Sequence, residues 1–163
     1  MVFIKVLTKI LFSVLLGVKM IKILLFLWQL PQHLVGLVLI WFTGAKKNGY
    51  QKKSNGDVVW FWEYEPKNKF TQYLSGASLG QYIILPAERA VDWNTVMHEH
   101  GHSKQSELLG LLYLLVIGLP SVCNNLYDRY AHRTWSYEDS VKWYYNRYPE
   151  KWADELGGVK RTF

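Results

Sequence analysis

The chain predicts an α+β fold: a short sheet, a helix that carries the chemistry, more helices towards the C-terminus, and apolar helices at the N-terminus suited to a membrane surface. Three observations predict it. Runs of β-prone residues at 58–64, 70–74 and 81–85 precede the string His98-Glu99-His100-Gly101-His102. Helical patterning then continues to the end of the chain. The basic residues are also unevenly placed. Residues 1–53 hold eight lysines and no acid, whereas the rest hold 11 basic and 13 acidic side chains.

The 163 residues suffice for one modest domain and an appendage. Half of them are hydrophobic and 16% aromatic, which excludes a disordered chain. Residues 1–45 read as membrane-associated helices, 46–57 as a linker and 58–163 as the globular domain. The lysines of the first third flank apolar runs rather than forming a polar basic stripe. They therefore fit membrane lipid as a partner and not nucleic acid. A membrane location follows for the chain as a whole.

Residues 1–20 place Ile4, Leu7, Leu11, Val14, Leu15 and Val18 at helical spacing, with no small-residue cleavage site after them. An uncleaved membrane-associated helix is expected. Residues 23–42 have the length of a span, about 30 Å at 1.5 Å per residue. Gln29, Pro31, Gln32 and His33 interrupt them. A kinked span, a hairpin broken at Pro31 and a helix lying on the membrane all remain open. Residues 43–56 are polar, basic and Gly-containing, as in a linker or a hairpin.

The β-branched and aromatic run 58–64 predicts a strand, as do 70–74 and 81–85. Asp92 or Asn94 is placed to cap a helix over 95–105. Residues 108–119 are continuously apolar but short for a span, so a buried helix is expected there. A membrane-inserted segment is the alternative. Residues 137–148 predict a helix with Tyr137, Val141, Tyr144 and Tyr145 on one face. Pro149 suits the start of a last helix over 150–156, stopped by Gly157-Gly158. The single cysteine, Cys123, rules out an intrachain disulfide and a thiolate cluster; a buried structural thiol is expected.

Residues 98–102 have the form H-E-x-x-H. Residues four apart share a helix face, so His98 and His102 can offer two imidazoles to one metal ion. Glu99 lies beside them, where it can take a proton from a metal-bound water. His100 falls about 200° round the helix from His98 and points away. Gly101 costs about 1 kcal/mol of helix propensity against Ala, which close approach of another element would explain. A catalytic zinc needs a third protein ligand. The metzincin extension fails, because Gln105 and Leu108 stand where Gly and His are required. Residues 149–154 read PEKWAD, of the form E-x-x-A-D, with Glu150 and Asp154 again four apart. By composition Asp128, His132, Glu138 and Asp139 compete as third ligand.

H-E-x-x-H followed by E-x-x-A-D resembles the gluzincin branch of zinc metallopeptidases, with its thermolysin-like zinc site. The longer string H-E-x-G-H-x-x-Q-S over 98–106 resembles small membrane-associated proteins of gluzincin type. The resemblance covers roughly residues 79–156, and it implies a minimal zincin-like domain holding one Zn²⁺. It implies that Glu150 is the third ligand and that Asp154 orients His98 through the second ring nitrogen. It also implies a Tyr or His that steadies the oxyanion: His132, Tyr137 or Tyr148, with Tyr144 and Tyr145 as further candidates. An edge strand at Gln81, Tyr82 and Ile83 would pair with a peptide or protein substrate. The expected activity is peptide-bond hydrolysis by a membrane-anchored enzyme. The alternative is a non-catalytic membrane protein with a structural or relict metal site, acting in envelope assembly or partner binding.

Overall fold

The structure is a computed structural model and describes residues 16–52 and 58–163. Most of the helix expected over 1–20 lies outside them. Helix α1 is described over Leu16–Trp28, and it bends by 76° into α2, Leu30–Thr43. The break falls at Gln29, and Pro31 sits in the first turn of α2, where its missing N–H costs no intrahelical bond. Gly44, at φ 67°, ends the helix in the left-handed conformation that favours glycine.

Four strands follow: β1 (Lys46–Lys52), β2 (Val58–Tyr64), β3 (Ala77–Leu79) and β4 (Tyr82–Pro86). They form a mixed sheet in the order β1-β2-β4-β3, with β2 parallel to β4 and the other pairs antiparallel. The expected linker 46–57 thus contributes a strand as far as Lys52, while 53–57 lie outside the described residues. Period-two alternation splits the core between the two faces of the sheet. Val59, Phe61, Ile83 and Leu85 pack with Val96 and Met97 on one side. Ile84 and Tyr64 pack with Leu39 and Ile40 of α2 on the other.

The run 70–74 is not a strand. It lies largely in helix α3, Lys69–Tyr73, because Asn68 and Thr71 form a reciprocal capping box that outweighs β propensity. After β4 come the short helix α4 (Ala87–Ala90) and α5 (Trp93–Leu109). Asp92 caps α5, accepting from the backbone N–H of Asn94 at 3.2 Å and of Thr95 at 3.0 Å.

The apolar run 108–119 is not a buried helix. A 3₁₀ turn (Gly110–Leu112) and a π turn (Leu114–Gly118) break it before α6, Leu119–Ala131. The axis bends by 119°, and Leu108, Leu111, Leu112, Leu115 and Leu119 are exposed while Tyr113 and Ile117 are buried. The cause is Trp28. Its indole lies where a Cβ on Gly110 would be, and its Nε1–H donates to the Glu107 carbonyl at 3.1 Å. Gly110 takes φ +52°, which other residues rarely adopt. Cys123 is exposed on α6 rather than buried. Helices α7 (Tyr137–Tyr145) and α8 (Glu150–Gly157) complete the fold.

Buried polar contacts join α2 to α5. Gln32 donates to Ser106 Oγ at 3.0 Å and to the Gly110 carbonyl at 2.7 Å, and Ser106 donates to Gln29 at 2.8 Å. Among the described residues no single helix is long and apolar enough to cross a membrane. The bent pairs α1–α2 and α5–α6 reach that length and apolarity only as pairs.

Candidate metal centre

Helices α5 and α8 cross at very short range, and glycine permits it. A side chain on Gly101 would overlap the Ala153 carbonyl, and one on Gly157 the Met97 carbonyl. This close crossing brings the i and i+4 pair of α5 against the i and i+4 pair of α8. Glu150 Oε2 lies 3.0 Å from His98 Nε2 and 3.1 Å from His102 Nε2. All three side chains are buried, and His98, His102 and Glu150 form a group that could hold a metal ion.

The partners of the outer ring nitrogens test that fit. His98 Nδ1–H donates to Asp154 Oδ1 at 2.8 Å. Asp154 is itself held by Arg161, with Nε at 2.7 Å from Oδ2 and Nη2 at 3.0 Å from Oδ1. His102 Nδ1 lies 2.7 Å from Gln105 Oε1. The Gln105 amide donates to the Pro149 carbonyl at 3.1 Å, which turns its oxygen towards the histidine. Both Nδ1 atoms therefore carry a proton, which turns both Nε2 atoms towards Glu150. Ser121 donates to the other Glu150 oxygen, Oε1, at 2.6 Å. Two ring nitrogens and one carboxylate oxygen thus converge on one point, where deprotonated histidines would offer them to a metal ion. The two nitrogen–oxygen separations are near the edge of a tetrahedron with 2.0–2.1 Å bonds, about 3.3 Å.

Charge within the cluster follows from burial and pairing. Burial pulls the His98 imidazole down, but its bonds to Asp154 and Glu150 overcome this and lift its pKa to about 9. Burial pushes Glu150 up, yet the two histidines hold it well below the usual carboxylate range. Asp154 is also lowered: the bonds from His98 and Arg161 outweigh its burial. Glu99 behaves differently. Burial raises its pKa, and the neighbouring histidines offset only part of the rise. Glu99 is therefore the carboxyl in the cluster most inclined to take up a proton.

The triad and Glu99 share a cavity of about 180 Å³. Its opposite wall is the chain from Leu74 to Leu79, which includes β3, the edge strand. A Cβ on Gly76 would lie 2.7 Å from Glu99 Oε1, so the backbone passes directly over that carboxyl. The expected substrate strand is placed differently. β4 is an interior strand between β2 and β3, and Gln81, Tyr82 and Ile83 border a separate surface pocket with Trp60, Trp62 and His100. His100 points away from the triad's cavity.

The expected oxyanion residues also lie elsewhere. His132 bonds Asp128 at 2.7 Å and stacks on Trp135 at 3.7 Å. Tyr137 is exposed beside a pocket formed with the C-terminus. Tyr148 is half exposed and donates to the Val116 carbonyl. The tyrosines in the cavity wall are Tyr113, Tyr144 and Tyr145. Tyr113 already donates to the Ser78 carbonyl at 2.7 Å. Tyr145 stands edge-on to His98, with ring centroids 5.0 Å apart, and the Tyr144 hydroxyl lies 3.5 Å from Ser121 Oγ. Of the competing third ligands, Asp128 is paired with His132 and Asp139 caps the start of α7 with Ser136. Neither they nor Glu138 lines the cavity.

Gln105, Ser121 and Arg161 were not legible as site residues. Gln105 carried one usable signal, its i+3 spacing from His102. The other two reach the site through folds of the chain that no local pattern announces. No protein-family model, no curated protein and no solved structure matches this chain.

Proposed function

We propose that the chain is a membrane-associated, zinc-dependent peptidase of gluzincin type. The observation that carries this reading is the convergence of three ligand-type atoms, from His98, His102 and Glu150, beside a buried carboxyl that is not one of them. His98, His102 and Glu150 would hold the ion, and Asp154, Gln105 and Ser121 would fix their orientation. A zinc ion there supplies Lewis acidity and lowers the pKa of water towards about 7.

The chain's own groups divide the remaining work. Glu99 accepts a proton from the attacking water and delivers it to the leaving amine. The chain over 74–79, which lines the cavity and runs into edge strand β3, would offer backbone groups to an extended peptide and align it without demanding particular side chains. The hydroxyls of Tyr144 and Tyr145 are the donors available for charge developing on the carbonyl oxygen. The basic first third and the two bent apolar helix pairs support a place at the membrane surface.

The test is Glu99→Gln in the zinc-loaded protein. Zinc content should be retained and peptide hydrolysis lost; full activity in the variant would sink the mechanism. One observation favours a second reading. The triad pins α8 to α5, as a purely structural site would. A structural site predicts unfolding on chelation, whereas the catalytic reading predicts a folded metal-free protein.

A further inference from the structure

The cavity that holds the triad adjoins a second hollow on the side of α6. Leu74, Ser75, Gly76, Ser121, Val122 and Tyr144 also border this larger and largely apolar hollow of about 580 Å³. Its outer rim is Phe70, Tyr73 and Leu126, all exposed, with Arg129 at one end. The hollow therefore lies between the triad's cavity and this exposed rim, in the position of a vestibule.

Two apolar surfaces run into that rim. One comes down α6. Leu115, Leu119, Val122 and Leu126 follow one another at intervals of four, three and four, which puts them on one helix face, and each is more than half exposed. The other comes along α2. Phe42, at its C-terminal end, packs edge-on against Phe70 with centroids 5.3 Å apart, and Val38 and Trp41 beside it are exposed. The contact of Trp28 with Gly110 locks the two helix bends together, and exposed leucines surround the junction: Leu24, Leu27, Leu108, Leu111 and Leu112.

The borders of these apolar surfaces are basic and aromatic. Arg129 donates to the Tyr73 carbonyl at 2.6 Å and lies over the Tyr73 ring, with exposed Tyr130, Arg133 and Trp135 following it. Lys19 and Lys22 punctuate α1. An apolar band edged by Arg, Lys, Tyr and Trp is what a lipid surface selects, with chains below and phosphates at the rim. A protein partner would not require the cations to stand at the border.

We infer that the vestibule opens at the lipid surface, so that the substrate reaches the triad from the membrane side as an apolar polypeptide segment held at the bilayer interface. This rests on the reading of the chain as a membrane-associated peptidase. It adds which face meets the lipid, where the entrance lies and which class of substrate can use it. Phe70, Val122 and Leu126 form the gate and line the path of the incoming side chains.

The experiment uses full-length protein carrying Cys123→Ser and one nitroxide-labelled cysteine at a time, at Val38, Phe70, Leu126 or Glu155. Each is mixed with vesicles of equal parts phosphatidylcholine and phosphatidylglycerol. Labels at 38, 70 and 126 should gain contact with oxygen and lose contact with a water-soluble nickel relaxant, while the label at exposed Glu155 on α8 stays aqueous. Lipid contact at 38 with aqueous labels at 70 and 126 overturns the inference and leaves membrane association standing. Labels at 70 and 126 already shielded before vesicles are added mean that a second copy covers the stripe, and overturn it too. No lipid contact at any position removes the membrane reading and the inference with it.

The zinc-loaded wild-type protein then receives one apolar peptide in two forms, soluble and lipid-anchored on the vesicles. The anchored form should be cut faster by about tenfold or more, the gain from confining both partners to one surface. Equal rates overturn the inference. If neither form is cut while labels 70 and 126 enter lipid, the peptidase reading fails and the lipid-facing entrance stands.

Discussion

Ser121 gives its hydroxyl proton to one oxygen of Glu150 at 2.6 Å, and this leaves the other oxygen alone facing the two histidines. A residue of α6 thus decides how a candidate ligand on α8 presents itself. Ser121→Ala should free Oε1 to rotate, and metal affinity should fall about 10- to 100-fold, the usual cost of losing a ligand's outer partner. Competition against a chelator of known affinity measures it. Ser121→Thr keeps the hydroxyl and should retain most of the affinity; an unchanged affinity in the alanine variant would show that Ser121 does not constrain the carboxylate.

Gln105 plays the corresponding part for His102. Gln105→Leu removes the acceptor that holds the proton on Nδ1 and one of the two donors to the Pro149 carbonyl, which keeps the Ala153 N–H. Affinity for zinc should fall again by about 10- to 100-fold. Thermal stability of the metal-free form should drop by about 1–3 kcal/mol, the cost of leaving the buried His102 Nδ1–H without an acceptor. The two readouts separate positioning from packing.

The crossing of α5 and α8 makes Gly101→Ala a test of opposing effects. Helix propensity alone favours Ala by about 1 kcal/mol. The methyl group would collide with the Ala153 carbonyl, and backbone cannot move aside cheaply. Overpacking of this kind costs about 1–3 kcal/mol or more, so net destabilisation is expected in urea titration. Stabilisation would mean that the helices do not cross as described.

Stability of the metal-free protein should depend on pH from both sides. His98 has its pKa raised from 6.5 to about 9 in the fold, so its contribution is complete below pH 6.5 and is lost as pH rises through about 9. Glu150 and Asp154 are lowered, so their contributions are present above their unfolded values and are lost in acid. The urea midpoint of chelated protein should therefore fall from pH 6 towards pH 9. The zinc-loaded protein should gain over it across the same range, since deprotonated histidines bind the ion. Parallel curves for the two forms would exclude the triad as the zinc site.

Much of the candidate centre was legible because helices repeat. The i and i+4 spacing that pairs His98 with His102 also pairs Glu150 with Asp154, and the fold brings the four side chains together. Gly101 was legible as a close approach, though not the partner it approaches. Elements governed by competition were misread. In 70–74 a two-residue cap defeated β propensity, and in 108–119 a single tryptophan 82 residues before Gly110 bent an unbroken apolar run. The sheet edge was misassigned because strand order is a long-range property: β3 has three residues and little pattern of its own. The tyrosines of the cavity were in view, but only tertiary structure separates Tyr144 and Tyr145 from Tyr137 and Tyr148.

The lock between Trp28 and Gly110 bears on how such a chain can be engineered. A helix that merely tethers a domain can be exchanged for another tether. Here the N-terminal segment supplies the wedge that bends α5 into α6, and through that bend it sets where Ser121 stands. Trimming the first helices to obtain a more tractable protein would therefore alter the ligand geometry some 90 residues downstream. The N-terminal helices and the candidate metal centre are one inheritable unit, and exchange of either between relatives has to carry the other along.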